Sequence, residues 1–268
     1  MNFAHNFNKI TRANNDIYSE KEKVNMMLNG EVAIEGDPIG SLYSYRFAGL
    51  SHENGYPLFY TKNGKKVHVA DPQLLELVNC GSIFPKLYGG FDAQFTYKKN
   101  LSLSLGFTYN IGGMKRLPNA YEDMNAVFDP LQNVSRDLIN RWKKPGDELH
   151  TTIPTIYDRD MVSRFIQNEQ IAEIKKGSTD YLYPTQLYNL SDERVVKTNY
   201  LRLRSVSLSY ILPSTLIKKV HLKSCLVRLQ ATNLYVWASK KWKGLDPETP
   251  NTSIPILPAY TLTVNISL

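Results

Sequence analysis

From Tyr260 onward every second residue is apolar: Tyr260, Leu262, Val264, Ile266 and Leu268 alternate with Thr261, Thr263, Asn265 and Ser267. A period of two marks a strand with one apolar and one polar face. The same pattern recurs at length. LYGGFDAQFTY sets Leu87, Gly89, Phe91, Ala93, Phe95 and Tyr97 on one face, against Tyr88, Gly90, Asp92, Gln94 and Thr96. LSLSLGFTYNI sets Leu101, Leu103, Leu105, Phe107, Tyr109 and Ile111 against Ser102, Ser104, Gly106, Thr108 and Asn110. Only Lys98–Asn100 separates the two, which predicts a tight hairpin.

Two further strands follow. YLRLRSVSLSYIL begins with Leu201 and Leu203 apolar, then changes phase to Val206, Leu208, Tyr210 and Leu212. A change of phase predicts a β-bulge near Arg204–Ser205, because one extra residue re-aims every side chain beyond it. CLVRLQATNLYVW puts Val227, Leu229, Ala231 and Tyr235 on one face and Arg228, Gln230 and Thr232 on the other, with Asn233 breaking the apolar row. NFAHNFNKI, with Phe3 and Phe7, is a weaker strand.

Length separates the possible meanings. Soluble strands have a mode of about 5–6 residues, whereas these approach the roughly 9–11 that a tilted strand needs to cross a hydrocarbon layer. Their apolar rows carry no charge. Slipping Leu87–Tyr97 by one residue would turn Asp92 onto the apolar side, so the register is well specified. Tyr97, Tyr109, Tyr200, Tyr210, Tyr235 and Tyr260 fall near strand ends, where interfacial aromatic girdles belong.

The connections are a second criterion. If the strands alternate up and down, one side receives the turns Lys98–Asn100 and Pro213–Ser224. The other receives the long loops 12–85, 113–198 and 238–257. Short turns opposite long loops is the asymmetry of transmembrane barrels; a β-sandwich has no reason to obey it. Within the long loops, SLYSYRFAGL and PLFYTKNGKKVHVA predict short strands with Asn63–Gly64 as a hairpin turn. Helices are expected over Asp129–Trp142, with Asp129 as N-cap and Pro130 at the first position, and over Asp158–Lys176. Ser214 is expected to cap one helical turn. The sequence has no internal repeat and no low-complexity linker.

Composition narrows the functional classes. Lys and Arg outnumber Asp and Glu by 32 to 25 in 268 residues, but the charges are interspersed, which describes a solvated surface and not a nucleic-acid footprint. Cys80 and Cys225 make no metal or redox spacing. No basic segment leads into an apolar one at the N-terminus, and no run of about 18 apolar residues predicts a membrane helix. A barrel strand, apolar on one side only, escapes that criterion.

Several stretches resemble the C-terminal barrel region of SusC/RagA-type TonB-dependent outer-membrane transporters of Bacteroidetes. The most specific runs from Asn199 to Pro250. There Tyr200–Leu203, Leu208, Tyr210 and Leu212–Pro213 match a strand that leads into a short helical turn. Asn233–Leu234 matches the end of the next strand, and Gly244–Glu248 a G-x-DPE loop. IGSLYSYRFAGL, GSIFPKLYGGFDAQFTYKK and NRWKKPGDELHTTIPTI also resemble the family.

The resemblance implies an all-β fold: about six C-terminal strands of a barrel of roughly 22, with long extracellular loops. Residues 1–268 are then one barrel portion, a fragment without signal peptide, plug or TonB-contacting segment. It implies an outer-membrane location, import of oligosaccharide or peptide, a SusD-like lid lipoprotein as partner, and contact with TonB only through the missing N-terminal region.

On this reading Phe91, Phe95, Leu103, Leu105, Phe107, Leu229, Leu262, Val264 and Ile266 face outer-membrane lipid. Asp92, Gln94, Ser104, Thr108, Arg228, Gln230, Thr263 and Asn265 face inward, lining the lumen or touching the plug, where their role is wetting and packing. Among the loop aromatics, Tyr43, Tyr45, Tyr60 and Tyr183 are candidates to contact ligand or lid, since tyrosine joins an apolar body to a polar tip. Ordinary loop packing is the alternative. His5, His52, His68, His150 and His221 have no metal spacing, no cofactor motif appears, and no carboxylate has a nucleophile or phosphate loop beside it, so no enzyme is expected. The competing function is a secreted, soluble β-rich carbohydrate-binding module.

Overall fold

The computed structural model describes residues 1–121, 135–156, 172–173, 181–217, 222–249 and 256–267. The chain divides into two compact units: 1–7 with 85–113 and 197–268, and 8–84 with 114–196.

The first unit is a six-stranded antiparallel meander: β1 (Asn2–His5), β2 (Leu87–Tyr97), β3 (Leu101–Ile111), β4 (Tyr200–Ile211), β5 (Ser224–Ala238) and β6 (Ala259–Ser267). Each strand pairs with the next in the chain. Strands β2 and β3 have the bounds that the alternation predicts.

Their turn puts Lys98 and Lys99 in the left-handed region, at φ 47° and 61°, and the Asn100 N–H donates to Tyr97 at 3.3 Å. Two positive φ values make it a type I′ turn, whose twist matches that of the strands it joins. Asn100 also bonds twice to the backbone at the end of β4: its side-chain Nδ2 donates to the Ile211 carbonyl at 3.0 Å, and its carbonyl accepts from the Ile211 N–H at 2.8 Å. Between β4 and β5 the one-turn helix Ser214–Ile217 starts from Pro213. The Pro213 carbonyl, and not the Ser214 side chain, accepts from the N–H groups of Leu216 and Ile217.

The second unit shows how much structure the long loops hold. Helix α1 (Glu20–Asn29) opens with a capping box: Ser19 Oγ accepts from the Glu22 N–H, and the Glu22 carboxylate accepts from the Ser19 N–H at 2.8 Å. Those two bonds satisfy amides that a helix start leaves without partners. It ends at Gly30, at φ 73°, where a side chain would be strained.

Val24 and Leu28 of α1 enter a core with Tyr45, Phe59, Val67, Leu75, Leu187 and Tyr188. Strands Pro57–Tyr60 and Lys66–Val67 pair as the expected hairpin. Its loop is three residues, not two. Thr61 and Lys65 bracket it, and Gly64 supplies the single positive φ, at 79°. That is a type I turn followed by a left-handed glycine.

Two expected helices differ. Residues 129–134 lie outside the described part. Beyond them only a 3₁₀ turn forms, Arg136–Asn140, capped by Ser135. Arg141 is extended because Trp142 turns away, its N–H donating to Ile153 at 2.9 Å. The Trp142 ring fills the space that a Cβ on Gly55 would enter at 2.2 Å. The helix expected over 158–176 lies outside the described residues except for Ala172–Glu173, which pair as a short strand in parallel with Val69–Ala70.

Candidate functional site

Residues paired directly across a sheet point to the same face, so the register decides what each face carries. Phe95, Leu103, Leu208, Leu229 and Leu262 form one continuous row over five strands, and Ala93, Leu105, Val206, Ala231 and Tyr260 the next. Phe91, Phe107, Leu203 and Tyr235 form a third, with the Phe91 and Phe107 rings stacked at 4.7 Å. Phe3 enters a fourth with Gly89, Tyr109, Leu201 and Trp237. The residues Phe91, Phe95, Leu103, Leu105, Phe107, Leu229, Leu262, Val264 and Ile266 therefore share one face.

The opposite face carries Gln94, Ser104, Ser207, Gln230 and Thr261 in one row and Thr96, Ser102, Ser209, Arg228 and Thr263 in another. Asp92 and Thr108 lie on it too. Asn265 shares this face with less polar company, since its row contains Leu226 and Ile211.

The bulge keeps these rows unmixed. Leu203 pairs with Phe107 and Ser205 with Gly106, which leaves Arg204 as the extra residue in β4. On β5 the irregularity is repeated: Leu203 faces Tyr235 and Ser205 faces Thr232, with Asn233 between them at φ 56°. Apolar positions change parity along the sequence yet stay on one face in space.

Nothing among the described residues covers that face. Phe95, Tyr97, Leu208, Leu229, Tyr235, Trp237, Tyr260, Leu262, Val264 and Ile266 are all exposed, Leu262 at 66 %. Burying such a side chain fully is worth about 1.5–3 kcal/mol. Ten left about half exposed to water forfeit on the order of 10 kcal/mol, as much as the whole stability of an ordinary domain, roughly 5–15 kcal/mol. The face is suited to an apolar medium.

At the long-loop end of the polar face, a cluster holds the segment after β5. Arg202 Nη2 lies 2.6 Å from Asp246 Oδ1 and 3.0 Å from Glu248 Oε2. The Tyr200 hydroxyl donates to Glu248 Oε1, so Tyr200 belongs to the polar face and not to an aromatic girdle. Trp242, 1 % exposed, donates through Nε1 to the Lys197 carbonyl at 3.0 Å. The sequence places Arg202 on the polar face by parity, but only the fold of the loop brings Asp246 to it.

The loop tyrosines separate. Tyr45 is fully buried in the core of the second unit, so it is removed from the contact candidates; its ring packs the unit it belongs to. Tyr56, Phe59 and Tyr188 are buried as well. Tyr43 is half-buried and donates to Asp37, and burial followed by that carboxylate pushes its phenol up to about 12. Tyr60 is half-buried between two cations, with Arg46 4.9 Å and Lys66 5.5 Å from its ring centre. Tyr183 lies edge-on to Tyr181 at 5.6 Å. In the same unit, Glu148 accepts from His52, the Trp142 indole and the Gly146 N–H. The His52 contact holds its carboxyl down at about 2.

No family model matches the chain. It is 22 % identical over 271 residues to TonB-dependent receptor P3 of Formosa agariphila, an alignment that covers 92 % of this chain and 23 % of that protein. The chain thus spans about a quarter of the length of its relative. Among solved structures it matches the RagAB peptide importer in the open-open state, with a TM-score of 0.59 at 21 % identity over 86 % of this chain and 23 % of that one. It also matches the RagAB peptide transporter, with a TM-score of 0.57 at 22 % identity over 87 % and 23 %. The fold follows from these likenesses. The six strands have the fold of a section of barrel wall in these structures.

Proposed function

We propose that this chain forms part of the wall of an outer-membrane, TonB-dependent transporter that imports peptide or glycan oligomers. The observation that carries the proposal is the uncovered apolar face, held in register from β1 to β6 against a polar one. In the bilayer the apolar rows meet acyl chains. The polar rows line the lumen, with Asp92, Gln94, Ser104, Thr108, Arg228, Gln230, Thr263 and Asn265 wetting and packing it. A soluble carbohydrate-binding module would need a cover over the first of these faces.

The relatives bear on cargo and partners. RagAB is a peptide importer, which favours peptide over glycan as cargo here. The half-buried loop residues Tyr43, Tyr60 and Tyr183 are the surface offered to ligand or to a SusD-like lid lipoprotein. Contact with TonB falls to parts of the transporter outside these residues.

Closure of the barrel is required. Strand β1 pairs with β2 only over Leu87–Gly90, and the outer edge of β6 has no partner among the described residues. Unpaired backbone groups in hydrocarbon cost several kcal/mol each, so further strands must complete the wall.

Trp237 provides the test, since it is exposed on the apolar face while Trp142 and Trp242 are buried. In outer membranes reconstituted with brominated phospholipids, the share of emission that Trp237→Phe removes should be quenched. Emission quenched by aqueous iodide and not by the brominated lipid would overturn the proposal.

A further inference from the structure

At the short-turn end of the sheet the ionised side chains are lysines. Lys98 and Lys99 make the turn between β2 and β3, and Lys218, Lys219 and Lys223 fall between β4 and β5. Lys218 and Lys219 lie outside the described residues; the other three are exposed. The chain has no acidic side chain between Asp92 and Glu122, between Glu193 and Asp246, or after Glu248. Those three stretches supply the strand ends and turns at this end from β2 to β6. At the other end the signs mix, since Lys240, Lys241 and Lys243 are followed at once by Asp246 and Glu248.

Two of these lysines belong to the apolar face. Lys98 sets its ammonium 5.2 Å from the centre of the Tyr97 ring, and Tyr97 is an exposed member of the apolar row that ends β2. The Lys223 N–H donates to the Ser267 carbonyl at 2.9 Å, which extends the β5–β6 ladder by one residue. Alternation then puts Lys223 on the side of Cys225 and Val227, the apolar side, two positions from the exposed Ile266 row. Lys98 and Lys99 hold left-handed backbones that suit Asn and Gly, so the turn does not explain why lysine stands there. A lysine stem laid along apolar surface, with its ammonium in the polar layer, is what a membrane boundary favours.

We propose that this rim binds anionic phospholipid, with Lys98 and Lys223 taking headgroup phosphates and Tyr97 and Ile266 the first carbons of the acyl chains. Short turns of such barrels face the periplasm, so the lipid is that of the inner leaflet. An ammonium serves phosphate as a point charge. Phosphatidylglycerol and phosphatidylethanolamine both carry a phosphate, but the ethanolamine ammonium offsets it. A rim of lysines without acidic side chains therefore selects the glycerol headgroup. Strands about 4.8 Å apart put Lys98 and Lys223 roughly 10–15 Å from each other, far enough for each to hold its own headgroup. In zwitterionic vesicles this contact is removed, and only the backbone preference of the turn remains. The site deepens the transporter reading and rests on it, because it requires the apolar face to lie in lipid.

A tryptophan reporter under Lys98 tests it. Tyr97→Trp is made together with Trp237→Phe, and the protein with its own Tyr97 and Trp237 is the reference. Trp237 stands in the Gly89 row, about 27 Å along the strand from Tyr97. Outer membranes from producing cells are reconstituted with phosphatidylglycerol or phosphatidylethanolamine brominated near the headgroup, at the same low mole fraction. Each lysine beside anionic lipid favours it about fivefold. The brominated phosphatidylglycerol should therefore quench the Tyr97→Trp emission at least threefold more than the phosphatidylethanolamine. Lys98→Gln, Lys99→Gln and Lys223→Gln together should bring that ratio to one and leave the quenching of Trp237 as it was. Salt at about 1 M, which cuts the reach of a charge to about 3 Å, should lower the ratio with the lysines in place, a check that needs no variant to fold. The proposal is overturned if the two lipids quench alike, or if the preference survives either the substitutions or the salt. It is also overturned if neither lipid reaches the Tyr97→Trp reporter while Trp237 is quenched, the result expected where another protein covers this end. Loss of the Trp237 quenching in the reference would instead sink the transporter reading.

Discussion

Arg202 and Asp246 are 44 residues apart in sequence and meet at 2.6 Å, their side chains 4 % and 5 % exposed. Removing one member of such a buried pair strands the other charge, at a cost of about 3–5 kcal/mol. Arg202→Ala should therefore release the loop that carries Trp242 and Asp246. Trypsin should then cut after Lys240, Lys241 or Lys243 at least tenfold faster than in the unaltered protein. The Arg202→Ala, Asp246→Ala double variant should be less sensitive than the sum of the two single changes. Unchanged cleavage in Arg202→Ala would show that the pair does not hold the loop.

Lys98 and Lys99 keep left-handed backbones at φ 47° and 61°, which disfavours residues with a Cβ by about 1 kcal/mol each. Replacing them with Asn and Gly, the pair that suits a type I′ turn, should stabilise the hairpin by about 1–2 kcal/mol. Asn100, which bonds to Ile211, stays in place. The urea midpoint for refolding into lipid vesicles should rise; a fall would mean that the lysine side chains stabilise the turn.

His68 is 4 % exposed, and Nδ1–H donates to the Pro57 carbonyl at 2.8 Å. Burial lowers its pKa below the ordinary 6.5 despite that bond, which acts in the opposite direction. With the folded value depressed, the unfolded chain binds the proton first as pH falls. Stability is fully present above 6.5 and is lost as pH drops from there through the folded value. Hydrogen exchange at Phe59 and Val67, measured between pH 8 and 5, should quicken toward the acid end relative to the intrinsic rate. His68→Gln should flatten that dependence, and a variant with the full dependence would assign it to another group.

The two long hairpin strands were legible to the residue, because a period of two over eleven positions fits no other element and any slip would put Asp92 among apolar side chains. The bulge at Arg204 was legible for the same reason, as a change of parity. Helix α1 carries a local signal at each end: Ser19 and Glu22 form a capping box and Gly30 a C-terminal stop. Its apolar residues, Val24 and Met26–Leu28, are bunched and give no helical period, and only Val24 and Leu28 are buried. Tyr45 and Tyr60 look alike in sequence, and only the assembled core shows that one ring is enclosed and the other is flanked by cations. The Arg202–Asp246 pair was half legible. Parity fixed the arginine's face, but the path of a loop after β5 is set by tertiary contacts such as Trp242 to Lys197.

The division of the sheet into a lipid face and a water face is tested most directly by single cysteines placed along β3 in outer membranes of producing cells. Cysteines at Leu103, Leu105 and Phe107 should react with a lipid-phase maleimide and resist a charged aqueous one. Those at Ser104 and Thr108 should resist the lipid-phase reagent. Uniform reaction with the aqueous reagent, or an alternation of opposite phase, would contradict the account.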